Sequence, residues 1–122
     1  MRIQRDTGEG RNYIGAVDPG AVTVQGTAYR QSLILTADHI APWPPTGFAE
    51  LVAEHWTAVL ALEPELVVLG TGATLRFPSP AVLAPLMAAG IGYEIMGTAA
   101  ACRTYNVLLA EDRRVVAALL LG

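Results

Sequence analysis

Apolar residues recur along this chain in short blocks closed by glycine or proline, and the period within each block predicts its element. Tyr13-Ile14-Gly15-Ala16-Val17 and Ala21-Val22-Thr23-Val24-Gln25 have the length and β-branched content of strands, with Asp18-Pro19-Gly20 between them. Proline fixes the first central angle of a type II turn and glycine supplies the positive φ of the second, so a tight turn is expected there. After Gly26, the stretch Tyr29 to Leu35, ending in Leu33-Ile34-Leu35, completes a predicted three-stranded meander.

Ala41-Pro42-Trp43-Pro44-Pro45-Thr46 cannot lie inside a helix, because its prolines remove amide donors and fix the backbone. It reads as a connector into a helix. Phe48, Leu51, Val52, His55, Trp56, Val59 and Leu60 follow the i, i+3, i+4, i+7 spacing of one helical face, and Pro64 closes that segment. Leu66-Val67-Val68-Leu69 is apolar without alternation and stops at Gly70-Thr71-Gly72, as a strand covered on both faces would. Ser79-Pro80 is a cap followed by a first helical residue, with Gly90 as the stop; Pro85 inside this segment predicts a bend or a shorter helix. Ile91 to Met96 reads as a strand, Thr98 as the N-cap of a helix running to Ala110, and Val115 to Leu121 as a final strand.

The second half is therefore β-α-β-α-β, and the whole predicts an α/β fold: a sheet with packed helices and an additional N-terminal β-hairpin or meander. Residues 1–11 lack a hydrophobic period and predict a loosely ordered leader; residues 12–122 predict a single α/β domain, a size suited to one core.

Composition narrows the function classes. The chain is 52% hydrophobic and 16% charged with mean hydropathy +0.40, too apolar for disorder. Its longest aliphatic run, Val115 to Leu121, falls well short of the ~20 residues that span a bilayer. All basic residues are arginine, which with the abundant alanine, glycine and proline reads as genomic composition bias. The net charge of −3 is concentrated between Asp18 and Thr98, where the acids outnumber Arg30 and Arg76. No basic stripe exists to follow phosphates, so nucleic acid is not an expected partner. A single cysteine, Cys102, and a polar N-terminus without an apolar signal region predict a reducing, cytoplasmic location.

Candidate chemistry lies at two turns. Gly70, Thr71 and Gly72 follow a buried strand, where α/β sheets bind ligands, but they complete neither a G-x-G-x-x-G nor a phosphate loop. A tight structural turn is the commoner use of such residues. Thr98 opens a helix whose free amides can receive an anion, with Arg103 and Thr104 one turn on and Asn106 beyond. The plain alternative is that Thr98 caps its own helix and Arg103 pairs with Glu94 or Glu111. Cys102 has no recognisable base, since His39 and His55 are remote in sequence and His55 falls on the apolar helix face; a buried, inert thiol is the expectation. Two separated histidines and one cysteine form no metal motif, and neither metal nor cofactor is expected. Trp43 on its proline frame is a candidate partner anchor if exposed, although such residues more often cover the end of a core.

Met96-Gly97-Thr98 and Ala100-Ala101-Cys102-Arg103-Thr104-Tyr105-Asn106-Val107-Leu108, followed by Glu111-Asp112-Arg113, carry a resemblance. Together with Gly70-Thr71-Gly72, Gly90-Ile91-Gly92, and Tyr29 to Leu35 followed by Trp43, they make the chain similar over residues 12–121 to a domain-of-unknown-function family. That family contains mitochondrial complex I assembly factor 3, the adipogenesis-associated domain protein and many small bacterial and archaeal proteins. The Arg-Thr-Tyr-Asn segment is its distinctive part. Gly97, where relatives commonly carry a polar residue such as aspartate, and Asp112, where glycine is common, depart from the family pattern. The resemblance implies a three-layer α/β domain with a mixed central sheet and no established enzymatic activity. It also implies a role through protein contacts in assembly of a respiratory complex.

The expectation is a non-enzymatic domain that binds a protein partner and does not cross the membrane, with peripheral membrane association and homo-oligomerisation both compatible with its apolar composition. The alternative is a small-anion binding protein or unrecognised enzyme using the Gly70-Thr71-Gly72 turn and the Thr98 to Asn106 helix start, which requires the two segments to share one cleft.

Overall fold

The computed structural model describes residues 10–122. All of the expected 1–11 leader except Gly10 and Arg11 therefore lies outside the described residues. Arg11 is tied down, its guanidinium donating to the Leu109 carbonyl at 3.0 Å and to the Asp112 carboxylate at 3.3 Å.

Strands β1 (Ile14–Asp18), β2 (Ala21–Val24) and β3 (Thr27–Tyr29) form a small antiparallel sheet. At the first turn Gly20 takes φ +73°, the positive angle expected after Pro19. The stretch expected as the third meander strand, Tyr29 to Leu35, is split. Its first residue ends β3, whereas Leu33–Leu35 becomes β4 of a separate five-stranded sheet. Leu33, Ile34 and Leu35 are all buried, which demands cover on both faces. β5 (Ile40–Pro42) occupies the start of the proline-rich connector, and Pro42 is tolerated because β5 is an edge strand.

The long helix expected from Phe48 to Leu60 is the main correction. Two 3-10 turns, Phe48–Glu50 and Ala53–His55, lead into a short α1 (Trp56–Leu60). Leu51 (ψ 123°) and Val52 (ψ 167°) are extended and separate the two turns. The Val52 amide, which a continuous helix would direct to Phe48, instead donates to His55 Nδ1 at 3.1 Å. The apolar period survives in part: Leu51, Trp56 and Val59 are buried, while Val52 is exposed.

β6 (Leu66–Gly70), α2 (Pro80–Ala88), β7 (Gly92–Met96), α3 (Thr98–Ala110) and β8 (Val115–Leu119) form the β-α-β-α-β half. Ser79 caps α2 by accepting from the Val82 amide, Pro80 opens it, and the helix continues through Pro85 to Ala88. The main sheet runs β5-β4-β8-β6-β7, with β6 parallel to β7 and β8 and β4 antiparallel to β5 and β8. It is a mixed sheet in an α/β fold.

β8 divides the core. Val115, Ala117 and Leu119 face a cluster containing Ile14, Val22, Leu33, Leu35, Cys102, Tyr105 and Leu109, supplied by the meander, β4 and α3. Val116, Ala118 and Leu120 face the opposite cluster, with Trp43, Leu51, Trp56, Val59, Leu83 and Leu86. Successive strand residues point to opposite faces, so one uninterrupted apolar run serves both. No helix among the described residues is long and apolar enough to cross a membrane.

Candidate functional site

The parallel strands β6, β7 and β8 bring their carboxyl ends to one edge of the sheet, where Gly70-Thr71-Gly72, Gly97-Thr98 and Leu120-Leu121 meet. Thr98 joins them. Its hydroxyl donates to the Leu120 carbonyl at 2.7 Å and accepts from the Gly72 amide at 2.8 Å, and its own amide donates to the Gly72 carbonyl at 2.9 Å. This corrects the expected cap: the N-cap is Gly97, which has no side chain to offer, and Thr98 is the first helical residue. A Cβ on Gly70 would stand 2.8 Å from Thr98 Oγ1 and 2.9 Å from Thr98 Cα, so only glycine lets α3 sit this close to β6. Thr71 is buried; its hydroxyl donates to the Thr74 carbonyl at 2.8 Å and accepts from the Arg76 amide at 3.1 Å, which folds the following loop back on itself.

A cleft of about 590 Å³ opens above this junction. Gly72, Thr98 and Arg103 line it together with Asp18, Ala99, Ala100 and Leu121. The two sequence-predicted segments therefore converge, through three of their seven named residues. Gly70 and Thr71 lie beneath as structural members. Arg103 is exposed and forms no ion pair with Glu94 or Glu111. The Ala99 and Ala100 amides, in the first turn of α3, have no acceptor among the described residues.

Thr104 and Asn106 point elsewhere. The Thr104 hydroxyl lies 3.3 Å from Met96 Sδ. Asn106 clasps the backbone of β1: Nδ2 donates to the Ile14 carbonyl at 2.8 Å and Oδ1 accepts from the Ile14 amide at 2.9 Å. Tyr105, unassigned by sequence reasoning, is fully buried and donates from its hydroxyl to the Asn12 carbonyl at 2.8 Å. The distinctive Thr-Tyr-Asn run thus ties α3 to its neighbours.

Trp43 is corrected as a candidate partner anchor. It is 3% exposed, packs 5.5 Å from Trp56 between ring centroids and donates from Nε1 to the His55 carbonyl. The exposed apolar residues that periodicity overlooked are Leu75 and Phe77, 52% and 70% exposed on the loop after Gly72. The irregular sequence of that loop gave no period to read; the signal was two large apolar residues around Arg76 in an otherwise turn-like stretch.

Cys102 is buried on the opposite face of α3 from solvent, and burial pushes its thiol pKa from 9.0 up to about 12, against the smaller lowering by Arg103. A thiol held protonated is a poor nucleophile and metal ligand. No group of three or more histidine, cysteine, aspartate or glutamate side chains could hold a metal ion among the described residues. A second cleft, of about 550 Å³ at the far end of the sheet, carries Arg11, Arg113 and Arg114. Each of these is engaged: Arg11 with Asp112, Arg113 with Glu65, and Arg114 with the Glu63 carbonyl.

A mixed-sheet α/β fold whose distinctive helix braces its neighbours, with a cleft at the carboxyl edge of the parallel strands, defines the class. Within it, the chain belongs to the family of proteins of unknown function DUF498/DUF598, whose model matches residues 14–120. It is 39% identical to an uncharacterised protein of Rhodobacter capsulatus over 88% of this chain and 82% of that one. It is 30% identical to the NADH dehydrogenase [ubiquinone] 1 alpha subcomplex assembly factor 3 of Bos taurus, over 88% of this chain but 60% of that protein's length. The fold is shared with a Bordetella parapertussis crystal structure (TM-score 0.86, 35% identity, 91% of this chain and 96% of that one). It is shared also with a solution structure of a Bordetella pertussis protein, an Mth938-like domain (TM-score 0.83, 29% identity, 98% and 92%).

Proposed function

We propose that this protein acts without catalysis, by binding a protein partner during assembly of a respiratory complex at the cytoplasmic side of the membrane. The observation that carries the reading is the use made of the distinctive helix. Thr98, Tyr105 and Asn106 spend their polar groups on Leu120, Asn12 and Ile14, so the segment specifies a rigid frame for a surface. Kinship with proteins named as complex I assembly factors supports the role, and it is an inference from fold and sequence, which do not by themselves fix function. Deleting the gene in its native host should lower the amount of assembled respiratory complex, seen on a native gel, with restoration by the full chain. A deletion strain with undiminished complex would remove this reading.

The cleft favours one alternative, capture of a small anion by Arg103 and the first-turn amides of α3, because Gly72, Thr98 and Arg103 share its wall. Titration with inorganic phosphate, followed by amide NMR, should then move the Ala99 and Ala100 signals at millimolar concentration. Unmoved signals would dismiss it.

A further inference from the structure

We infer that the carboxyl edge of the sheet is the docking surface for a peptide segment that carries an acidic residue beside large apolar ones. The inference rests on the protein-binding reading above and names the face and the chemistry it selects. Of the six large apolar side chains exposed among the described residues, three flank this edge: Val17 on the wall of the cleft, and Leu75 and Phe77 on the loop after Gly72. Leu75 adjoins the cleft directly, since a Cβ on Gly97 would lie 4.0 Å from its amide nitrogen. The loop is held firmly enough to present these side chains, through the Thr71 hydroxyl and through Arg76, whose guanidinium stacks 5.7 Å from the centre of the Phe48 ring.

Charge decides the occupant. The chain as a whole is net negative, yet this face presents Arg76 and Arg103, neither in an ion pair, against one acid in the cleft, Asp18. The nearby Glu50 is turned inward to accept from the Thr46 amide. An apolar peptide alone would leave Arg103 without a counter-charge, and a basic one would be repelled. A carboxylate seated toward Arg103 with neighbouring leucine or aromatic side chains over Leu75 and Phe77 complements the whole surface.

The test is a randomised twelve-residue displayed peptide library panned on the full chain. Enriched peptides should pair aspartate or glutamate with leucine, phenylalanine or tryptophan. The strongest, made synthetically, should bind Arg103→Glu and Phe77→Ser about tenfold more weakly than the unaltered protein. Val107→Ser, equally exposed but remote on α3, should bind normally. All three side chains are exposed, so each variant should keep the parent melting temperature. Failure to enrich any peptide, enriched peptides lacking an acid, or affinities indifferent to Arg103→Glu and Phe77→Ser would overturn the inference. So would co-sedimentation with phosphatidylglycerol vesicles, abolished by those substitutions, with no peptide enriched. In the deletion strain, full restoration of complex assembly by the Arg103→Glu, Phe77→Ser double variant would reject this surface and leave the assembly reading standing.

Discussion

Thr98 holds three chain segments with one hydroxyl, and the cost of removing it can be read from its partners. Valine keeps the shape but strands the Leu120 carbonyl and the Gly72 amide in a buried site, at about 1–3 kcal/mol for each group. Serine keeps both bonds and loses one methyl, about 1 kcal/mol. Urea unfolding should therefore rank the protein above Thr98→Ser and both well above Thr98→Val; equal midpoints for the two variants would refute the bridging role. Gly70→Ala should cost about 1–3 kcal/mol by the same measurement, because the added Cβ meets the Thr98 backbone and the structure has to open. Cys102 makes a prediction about pH. Burial raises its pKa from 9.0 to about 12 in the folded protein, so the unfolded chain releases a proton that the folded chain retains. That contribution to stability is complete below pH 9 and is lost as the pH rises toward 12. Tyr105, also raised by burial, acts in the same sense above pH 10. The urea midpoint should fall steadily above pH 9, and a thiol reagent at pH 8 should label Cys102 only on unfolding.

At the scale of elements, the link between α3 and β1 is the most exposed to a single change. β1 is an edge strand with a register irregularity between Ile14 and Ala16, and Asn106 occupies the free backbone of Ile14 as a neighbouring strand would. Asn106→Asp keeps the acceptor but sets a carboxylate against the Ile14 carbonyl, so β1 should loosen while β8 holds. Hydrogen exchange should show the Ile14 amide losing protection first, with a global loss of about 1–3 kcal/mol. Legibility in the sequence follows the same division between local and non-local causes. β6, α2, β7, α3 and β8 were readable because uninterrupted apolar runs and capping residues are local signals, and Ser79-Pro80 worked as read. The Phe48 to Leu60 segment misled because two 3-10 turns joined by an extended pair can imitate a helical period over so few residues. β4 was joined to β3 because nothing local marks a change of sheet. For the site, the meeting of Gly72 with Thr98 and Arg103 was legible from their place after parallel strands. The inward turn of Asn106 was not, since a polar residue on a helix looks the same in sequence whether it binds a ligand or a strand.

Across the whole molecule, function of the carboxyl edge depends on a frame that does not yield, and β8 is what makes the two halves of that frame one. Its six buried residues, Val115 to Leu120, divide between opposite cores, so a loss on one face must be felt through the strand by the other. The tryptophans give a direct test, because Trp43 and Trp56 both lie in the core away from α3 and the meander. Leu119 is fully buried in the other core. Leu119→Ala should cost about 2–5 kcal/mol through lost burial and the cavity left behind. If β8 couples the two cores, tryptophan fluorescence, which senses only the unaltered side, should report a midpoint lowered as far as that of far-ultraviolet circular dichroism. A fluorescence midpoint that stays in place while the circular dichroism transition moves would mean that the cores melt independently. In that event Leu75 and Phe77, on the loop between β6 and α2, would be presented by a half-molecule able to stand without the α3 side, and Arg103 would not be held in register with them.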